Sequence, residues 1–260
     1  MTSLEAIILG LIQGATEFLP VSSSGHLVIG QTLLGVESPG VVFEVALHVA
    51  TLVSILFVYR ARVGELAVGA VRRDPASLRY VGLLVVATLP AVVVGLFFKD
   101  AVEALFESPV ASGVALLVTG LILWTSRRAL AGAKGTVPGW TAALLIGVAQ
   151  AFAILPGISR SGSTVVAALW LGVAPREAAA FSFLMAVPAI SGAAVLQLGE
   201  LGAGAGLGWE VLALGSLFAA VTGVLAIRTF VAMLARESFH LFAPYCWIVG
   251  ALFLAYLGLR

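Results

Sequence analysis

The sequence predicts an all-α integral membrane protein of six transmembrane helices and two re-entrant helical hairpins, arranged as an inverted-topology repeat. Three observations lead there. The 260 residues are 61% hydrophobic and only 10% charged, against roughly 25% charged in a soluble domain, which excludes a water-soluble fold. The apolar residues fall in runs of about 15 to 25, and about 20 helical residues cross the hydrocarbon core of a bilayer. Two longer apolar segments, finally, are each interrupted midway by Pro, Gly and Ser, and they resemble each other.

In chain order, Leu4 to Leu34 is the first broken segment, with its interruption at Pro20-Val21-Ser22-Ser23-Ser24-Gly25-His26. Uninterrupted spans follow at Phe43 to Tyr59, Tyr80 to Phe98 and Ser108 to Ser126. Trp140 to Gly172 is the second broken segment, interrupted at Pro156-Gly157-Ile158-Ser159-Arg160-Ser161-Gly162-Ser163, and three more spans run Ala178 to Leu198, Val211 to Ile227 and Leu241 to Leu257. Each broken segment reads as two half-helices joined by a polar loop. Such a loop cannot face lipid with open backbone groups, so it must be buried in protein or line a wet cavity, as a re-entrant hairpin does. No removable leader is expected, because no basic segment precedes the first apolar run. The single cysteine, Cys246, excludes an internal disulfide and a cysteine metal cluster.

Gly10, Gln13, Ser24 and Gly25 recur 137 positions later as Gly147, Gln150, Ser161 and Gly162, and Leu19-Pro20 recurs 136 later as Leu155-Pro156. Residues 1–260 thus form one polytopic domain of two repeats, about 1–130 and 138–260. Three spans per repeat is an odd number, which inverts the second repeat relative to the first. The charges agree. Arg60, Arg62, Arg72, Arg73, Arg79, Arg127, Arg128, Lys134, Arg176, Arg228 and Arg236 fall on one predicted side, and only Lys99 and Arg260 on the other with Asp100, Glu103, Glu107, Glu200 and Glu210. The positive-inside rule makes the first side cytoplasmic and puts both termini outside.

Ionisable residues at membrane depth are costly and suspect by default. Glu17, His26 and Arg160 stand at the two breaks. In each loop a serine run opens a half-helix, so backbone N–H groups and the positive dipole end offer an anion site. Ser22, Ser24, Ser159, Ser161 and Gly162 are the candidate binding residues. Arg160 adds a permanently charged fork that grips two phosphate oxygens where Lys cannot. Gln13 and Glu17, four residues apart on one helical face, offer oxygens to Mg²⁺ or Ca²⁺. His26 carries protons near neutral pH, and Ser23 or His26 is the candidate nucleophile.

Structural readings stand beside these. Ser161, Gly162 and Ser163 suit close helix packing, and Glu17 with Arg160 suits a non-catalytic buried pair. Glu44 and His48, at i and i+4, read as a hydrogen-bonded structural pair. His240 reads as interfacial, and Trp124, Trp140, Trp209 and Trp247 as an aromatic belt at span ends.

Gly10-Leu11-Ile12-Gln13-Gly14-Ala15-Thr16-Glu17-Phe18-Leu19-Pro20-Val21-Ser22-Ser23-Ser24-Gly25-His26 and Pro156-Gly157-Ile158-Ser159-Arg160-Ser161-Gly162-Ser163-Thr164 resemble the two motifs of the bacitracin-resistance type undecaprenyl-diphosphate phosphatase family. The resemblance extends along essentially the whole chain, including Phe43-Glu44-Val45 and Phe181-Ser182-Phe183-Leu184. It implies metal-dependent hydrolysis of undecaprenyl diphosphate to the monophosphate carrier of cell-wall synthesis, at a site open to the outer face of the cell membrane. By position it assigns Glu17 and Gln13 to the acidic motif, Ser23 and His26 to the catalytic loop, and Arg160 with Ser159 to the phosphate loop. Gln13 departs from the glutamate frequent there, leaving one carboxylate. The expected partners are the polyprenyl diphosphate and membrane lipid, with a homodimer left open and no nucleic acid. A transporter or flippase for a lipid phosphate or small anion would share the architecture, and phosphate release separates the two.

Overall fold

The computed structural model describes residues 1–36, 41–106, 108–197 and 208–259. Glu107, Glu200 and Arg260, together with Leu198 at the end of the fourth predicted span, lie outside the described residues. Twelve α-helices form among the described residues: α1 (Ser3–Phe18), α2 (Ser23–Leu34), α3 (Val41–Val58), α4 (Arg60–Val71), α5 (Pro75–Phe97), α6 (Lys99–Phe106), α7 (Pro109–Ala129), α8 (Trp140–Phe152), α9 (Arg160–Trp170), α10 (Pro175–Gln197), α11 (Trp209–Ala235) and α12 (Phe242–Gly258). The one β-type pairing among them is an isolated bridge between Gly135 and Val173, which ties the linker after α7 to the turn after α9.

Helices α5, α7, α10 and α11, and α12 together with the turn that leads into it (Phe239–Gly258), are each long and apolar enough to cross a membrane, and a sixth candidate consists of α3 and α4 bent by 82°. The bend falls where the apolar run ends and Arg60, Arg62 and Glu65 begin. The Arg60 guanidinium donates to the Phe57 carbonyl there, covering an end group of α3. Helices α4 and α6 are additional to the predicted spans; both are short and lack the unbroken apolar run that marks a span in sequence. The two broken segments are pairs of half-helices, and in each the limbs pack on one another, α1 on α2 and α8 on α9.

The first limb of each pair is held by a long helix from the other half of the chain. Helix α1 packs chiefly on α11, and α8 on α5. At both contacts a glycine permits the approach. A methyl group on Gly10 would run into the Gly215 carbonyl, and one on Gly147 into the Ala87 carbonyl. Small residues let helix backbones meet in a lipid environment, where dispersion contacts replace the hydrophobic effect as the driving force. Large apolar side chains such as Val53, Phe57, Leu89, Leu217 and Leu252 are exposed at the periphery, while Gln13, Glu17, Thr119, Gln150, Ser159 and Thr164 are buried. The polar interior is where the half-helices end.

Candidate active site

Two serines start the inner half-helices in the same way. Ser22 caps α2 by accepting from the Gly25 N–H (3.3 Å), and Ser159 caps α9 by accepting from the Gly162 N–H (3.1 Å). Each satisfies one of the N–H groups that a helix start leaves open. Ser22 does so at φ 69°, a conformation uncommon for a residue with a side chain. Such outliers cost about 1–3 kcal/mol and persist where surrounding structure fixes them. Gly157 turns the second loop at φ 93°, with the Ser112 carbonyl too close for any Cβ.

The two loops are joined directly. The Gly157 N–H donates to Ser24 Oγ (3.4 Å), and Ser161 Oγ donates to the Leu19 carbonyl (3.3 Å). Thr119 of α7 pins the second loop from behind, donating through Oγ1 to the Gly157 carbonyl (2.8 Å) and accepting from the Ser159 N–H (3.0 Å).

Glu17, buried at the end of α1, gathers the polar groups of both loops. Arg160 Nη2 donates to its Oε1 at 2.8 Å across a separation of 143 residues. Ser23 Oγ donates to Oε2 at 2.6 Å and Gln13 Nε2 to the same oxygen at 3.0 Å. His48 of α3 brings Nε2 to 3.8 Å from Oε2. A carboxylate removed from water needs this number of partners, since an unpaired buried charge is prohibitively costly. Arg160 gives Glu17 only one nitrogen, and its Nη1 reaches the Ser182 carbonyl at 3.5 Å. Its fork is not closed on the carboxylate.

The sequence profile of the family described as bacitracin resistance protein BacA matches residues 6–252. The chain belongs to that family. A protein of Desulfatibacillum aliphaticivorans named undecaprenyl-diphosphatase is 42% identical over 266 residues, covering 95% of this chain and 96% of its own. One of the same name from Desulfosudis oleivorans is 41% identical with both chains covered completely, and undecaprenyl-diphosphatase 4 of Bacillus thuringiensis is 40% identical over 98% of this chain and 97% of its own. With its apolar helices, this member of the BacA family is a multi-pass membrane protein.

Of the residues singled out by sequence, Gln13, Glu17, Ser23 and Arg160 meet in one cluster, and Ser22, Ser24, Ser159, Ser161 and Gly162 form the two loops around it. His26 stands apart. Its Nδ1 is 2.9 Å from the Ser22 carbonyl and its Nε2 is 2.9 Å from the Tyr245 hydroxyl on α12. The expected Glu44–His48 pairing is a different contact: His48 Nδ1 donates to the backbone carbonyl of Glu44 (2.8 Å), and the Glu44 carboxylate accepts from Gln31 (3.0 Å). With its proton on Nδ1, His48 attracts Glu17 only when Nε2 is protonated too. His48, Thr119 and Tyr245 all reach the loops, and nothing in the local sequence pairs them with it. A polar residue inside an apolar span is the signal that could have pointed to Thr119.

For a metal, the described residues offer little of their own. Among the described residues no group of three or more His, Cys, Asp or Glu stands together. Gln13 Oε1 is buried without a hydrogen-bond partner, and it lies one helical turn from the Glu17 carboxylate. That is a fit for a hard cation which takes one or two protein oxygens and completes its shell with water and phosphate.

Proposed function

We propose that the protein hydrolyses undecaprenyl diphosphate to undecaprenyl phosphate and inorganic phosphate, recycling the lipid carrier of cell-wall synthesis and thereby giving bacitracin resistance. One observation carries the reading: a single carboxylate, Glu17, holds a serine hydroxyl from one loop and an arginine from the other. This is a nucleophile beside its base and a phosphate-binding fork, placed together at two helix starts. Relatives named undecaprenyl-diphosphatase supply the substrate.

In this reading the terminal phosphate takes the open side of the Arg160 guanidinium and the N–H groups at the starts of α2 and α9. Ser23 Oγ bonds to the terminal phosphorus as its proton passes to Glu17 Oε2. The bond from phosphorus to the bridging oxygen breaks, and undecaprenyl phosphate leaves with the electron pair. Water then attacks the phosphoserine, giving one proton to Ser23 Oγ as phosphate departs, and Glu17 returns the first proton to solvent. His26, three residues along α2 from Ser23, is the candidate for exchanging protons with the departing phosphate. Bound with the diphosphate, Mg²⁺ or Ca²⁺ held by Gln13 Oε1 and a Glu17 oxygen would neutralise charge on the leaving group.

The six-span arrangement with two re-entrant hairpins, as inverted repeats of about 1–130 and 138–260, belongs to the same proposal. It draws support from the reciprocal packing of α1 on α11 and α8 on α5. Charge placement then opens the site to the outer face, and thiol labelling of Arg73→Cys from outside would overturn that orientation. Purified protein in detergent should release one phosphate per undecaprenyl diphosphate, and a chelator should stop it. A folded protein that releases none would sink the hydrolase and favour the transport reading. Undiminished release under chelator would remove only the metal.

A further inference from the structure

Glu17 has a neighbour that the proposed reaction leaves unused. His48 of α3 donates through Nδ1 to the Glu44 carbonyl at 2.8 Å, and a carbonyl only accepts, so that ring nitrogen carries a proton. The other nitrogen, Nε2, stands 3.8 Å from Glu17 Oε2. With the ring neutral, a lone pair and a carboxylate oxygen face each other there, which is unfavourable unless positive charge lies between them. A second ring proton would supply it, but charge-assisted N–H···O bonds close to about 2.7–2.9 Å, and this pair stays well outside that range. A divalent metal bonds an imidazole nitrogen and a carboxylate oxygen at about 2.0–2.2 Å each, so a single ion reaches across the 3.8 Å gap with both bonds made.

We infer that His48 Nε2 is a metal ligand, which with Glu17 Oε2 and Gln13 Oε1 forms a site for a first-row transition ion such as Mn²⁺ or Zn²⁺. Metal-bound histidines ordinarily donate their second ring N–H to a carbonyl or carboxylate, which fixes the ring and strengthens the bonding nitrogen. The Glu44 carbonyl does this for His48. Gln13 bonds the same Glu17 oxygen through Nε2 at 3.0 Å and keeps Oε1 buried without a partner. A half-turn of that amide puts the oxygen donor in the nitrogen's place. Imidazole favours transition ions, whereas Mg²⁺ and Ca²⁺ take oxygen and use only Glu17 and Gln13. The inference rests on the phosphatase reading for the ion's purpose and on geometry for its ligands.

The test uses full-length protein in detergent, labelled with ¹⁵N-histidine and loaded with Mn²⁺ and methylene diphosphonate, a diphosphate analogue whose P–C–P bridge resists hydrolysis. Pulsed electron paramagnetic resonance should show one directly bonded ¹⁵N on the Mn²⁺. The chain has three histidines, and the coupling should persist in His26→Gln and His240→Gln and vanish in His48→Gln and His48→Leu. Calorimetry should show Mn²⁺ affinity in His48→Leu lower by at least about tenfold, the smaller end of what losing even an outer partner of a ligand costs. Ca²⁺ affinity should stay within about twofold, because its shell is oxygen; a merely structural His48 would move both ions alike. Bound Mn²⁺ without a ¹⁵N coupling in the wild-type protein overturns the inference whether or not the variants fold, and so does wild-type protein that binds no Mn²⁺. Phosphate release from undecaprenyl diphosphate by the same wild-type preparation decides the phosphatase reading separately.

Discussion

The two loops share a scaffold and divide the chemistry. At an offset of 137 residues Ser22 corresponds to Ser159, and each caps its half-helix through the N–H of the glycine three residues on. Gln13 corresponds to Gln150, and both have a buried Oε1 without a partner. At the positions that carry chemistry the loops part company. Glu17 faces Ile154, Ser23 faces Arg160, and His26 faces Ser163, whose buried hydroxyl is unpartnered. A repeated backbone thus provides two helix starts aimed at one place, and substitutions on it put the carboxylate, hydroxyl and imidazole on one loop and the cation on the other. In the proposed reaction the two loops act on the phosphate together. The Gln150 twin also tempers the metal reading, since the same open oxygen occurs there with no carboxylate one turn away.

That division is broken most severely at Glu17. Glu17→Gln removes the base and leaves Arg160 without its counter-charge, and phosphate release should fall by about 10²- to 10⁴-fold, the range for a positioned acid or base. Ile154→Val at the twin position should stay within about twofold, because no charge is present to lose. Losing one partner of a buried ion pair costs about 3–5 kcal/mol, so gel filtration must accompany the assay. Comparable losses at both positions would mean that the loops are not chemically divided.

A smaller effect is expected behind the second loop. Thr119→Val preserves shape and removes both hydrogen bonds to the Gly157 carbonyl and the Ser159 N–H. Two buried backbone groups are then unpaired, at about 1–3 kcal/mol each, and the loop that presents Arg160 loosens. Thermal stability should drop and KM for the diphosphate should rise by about tenfold, one tenth of the affinity being about 1.4 kcal/mol. An unchanged KM in a destabilised protein would make Thr119 a matter of stability only.

Much of this was legible in the chain. The apolar runs locate the spans, and the ends of α7, Pro109–Ala129, and α12, Phe242–Gly258, lie within a few residues of Ser108 to Ser126 and Leu241 to Leu257. Composition carries that information because lipid requires long apolar helices. Glu17, Ser23 and Arg160 were legible because ionisable and polar groups at membrane depth are rare enough to be noticed. Helix α4 was not, since its Arg60-Ala61-Arg62 start reads equally well as a loop. Nor were the Glu17–His48, His26–Tyr245 and Thr119–Ser159 contacts. These depend on which helix faces which, and the pairing of α1 with α11 and of α7 with α9 is fixed by small-residue contacts such as Gly10 on Gly215 that have no local signature.

The cation loop decides the matter most directly. Arg160 either grips phosphate or merely balances Glu17, and its single-nitrogen contact to that carboxylate leaves the fork available for the first role. A lysine supplies the same charge without two-pronged geometry. The measurement is steady-state hydrolysis of undecaprenyl diphosphate by Arg160→Lys and Arg160→Ala, each shown to be folded by gel filtration in detergent. Losses of about 10²- to 10³-fold in both, the scale of removing one transition-state donor, are the predicted result. Near wild-type turnover in a folded Arg160→Lys protein would contradict it, and leave Arg160 a counter-ion.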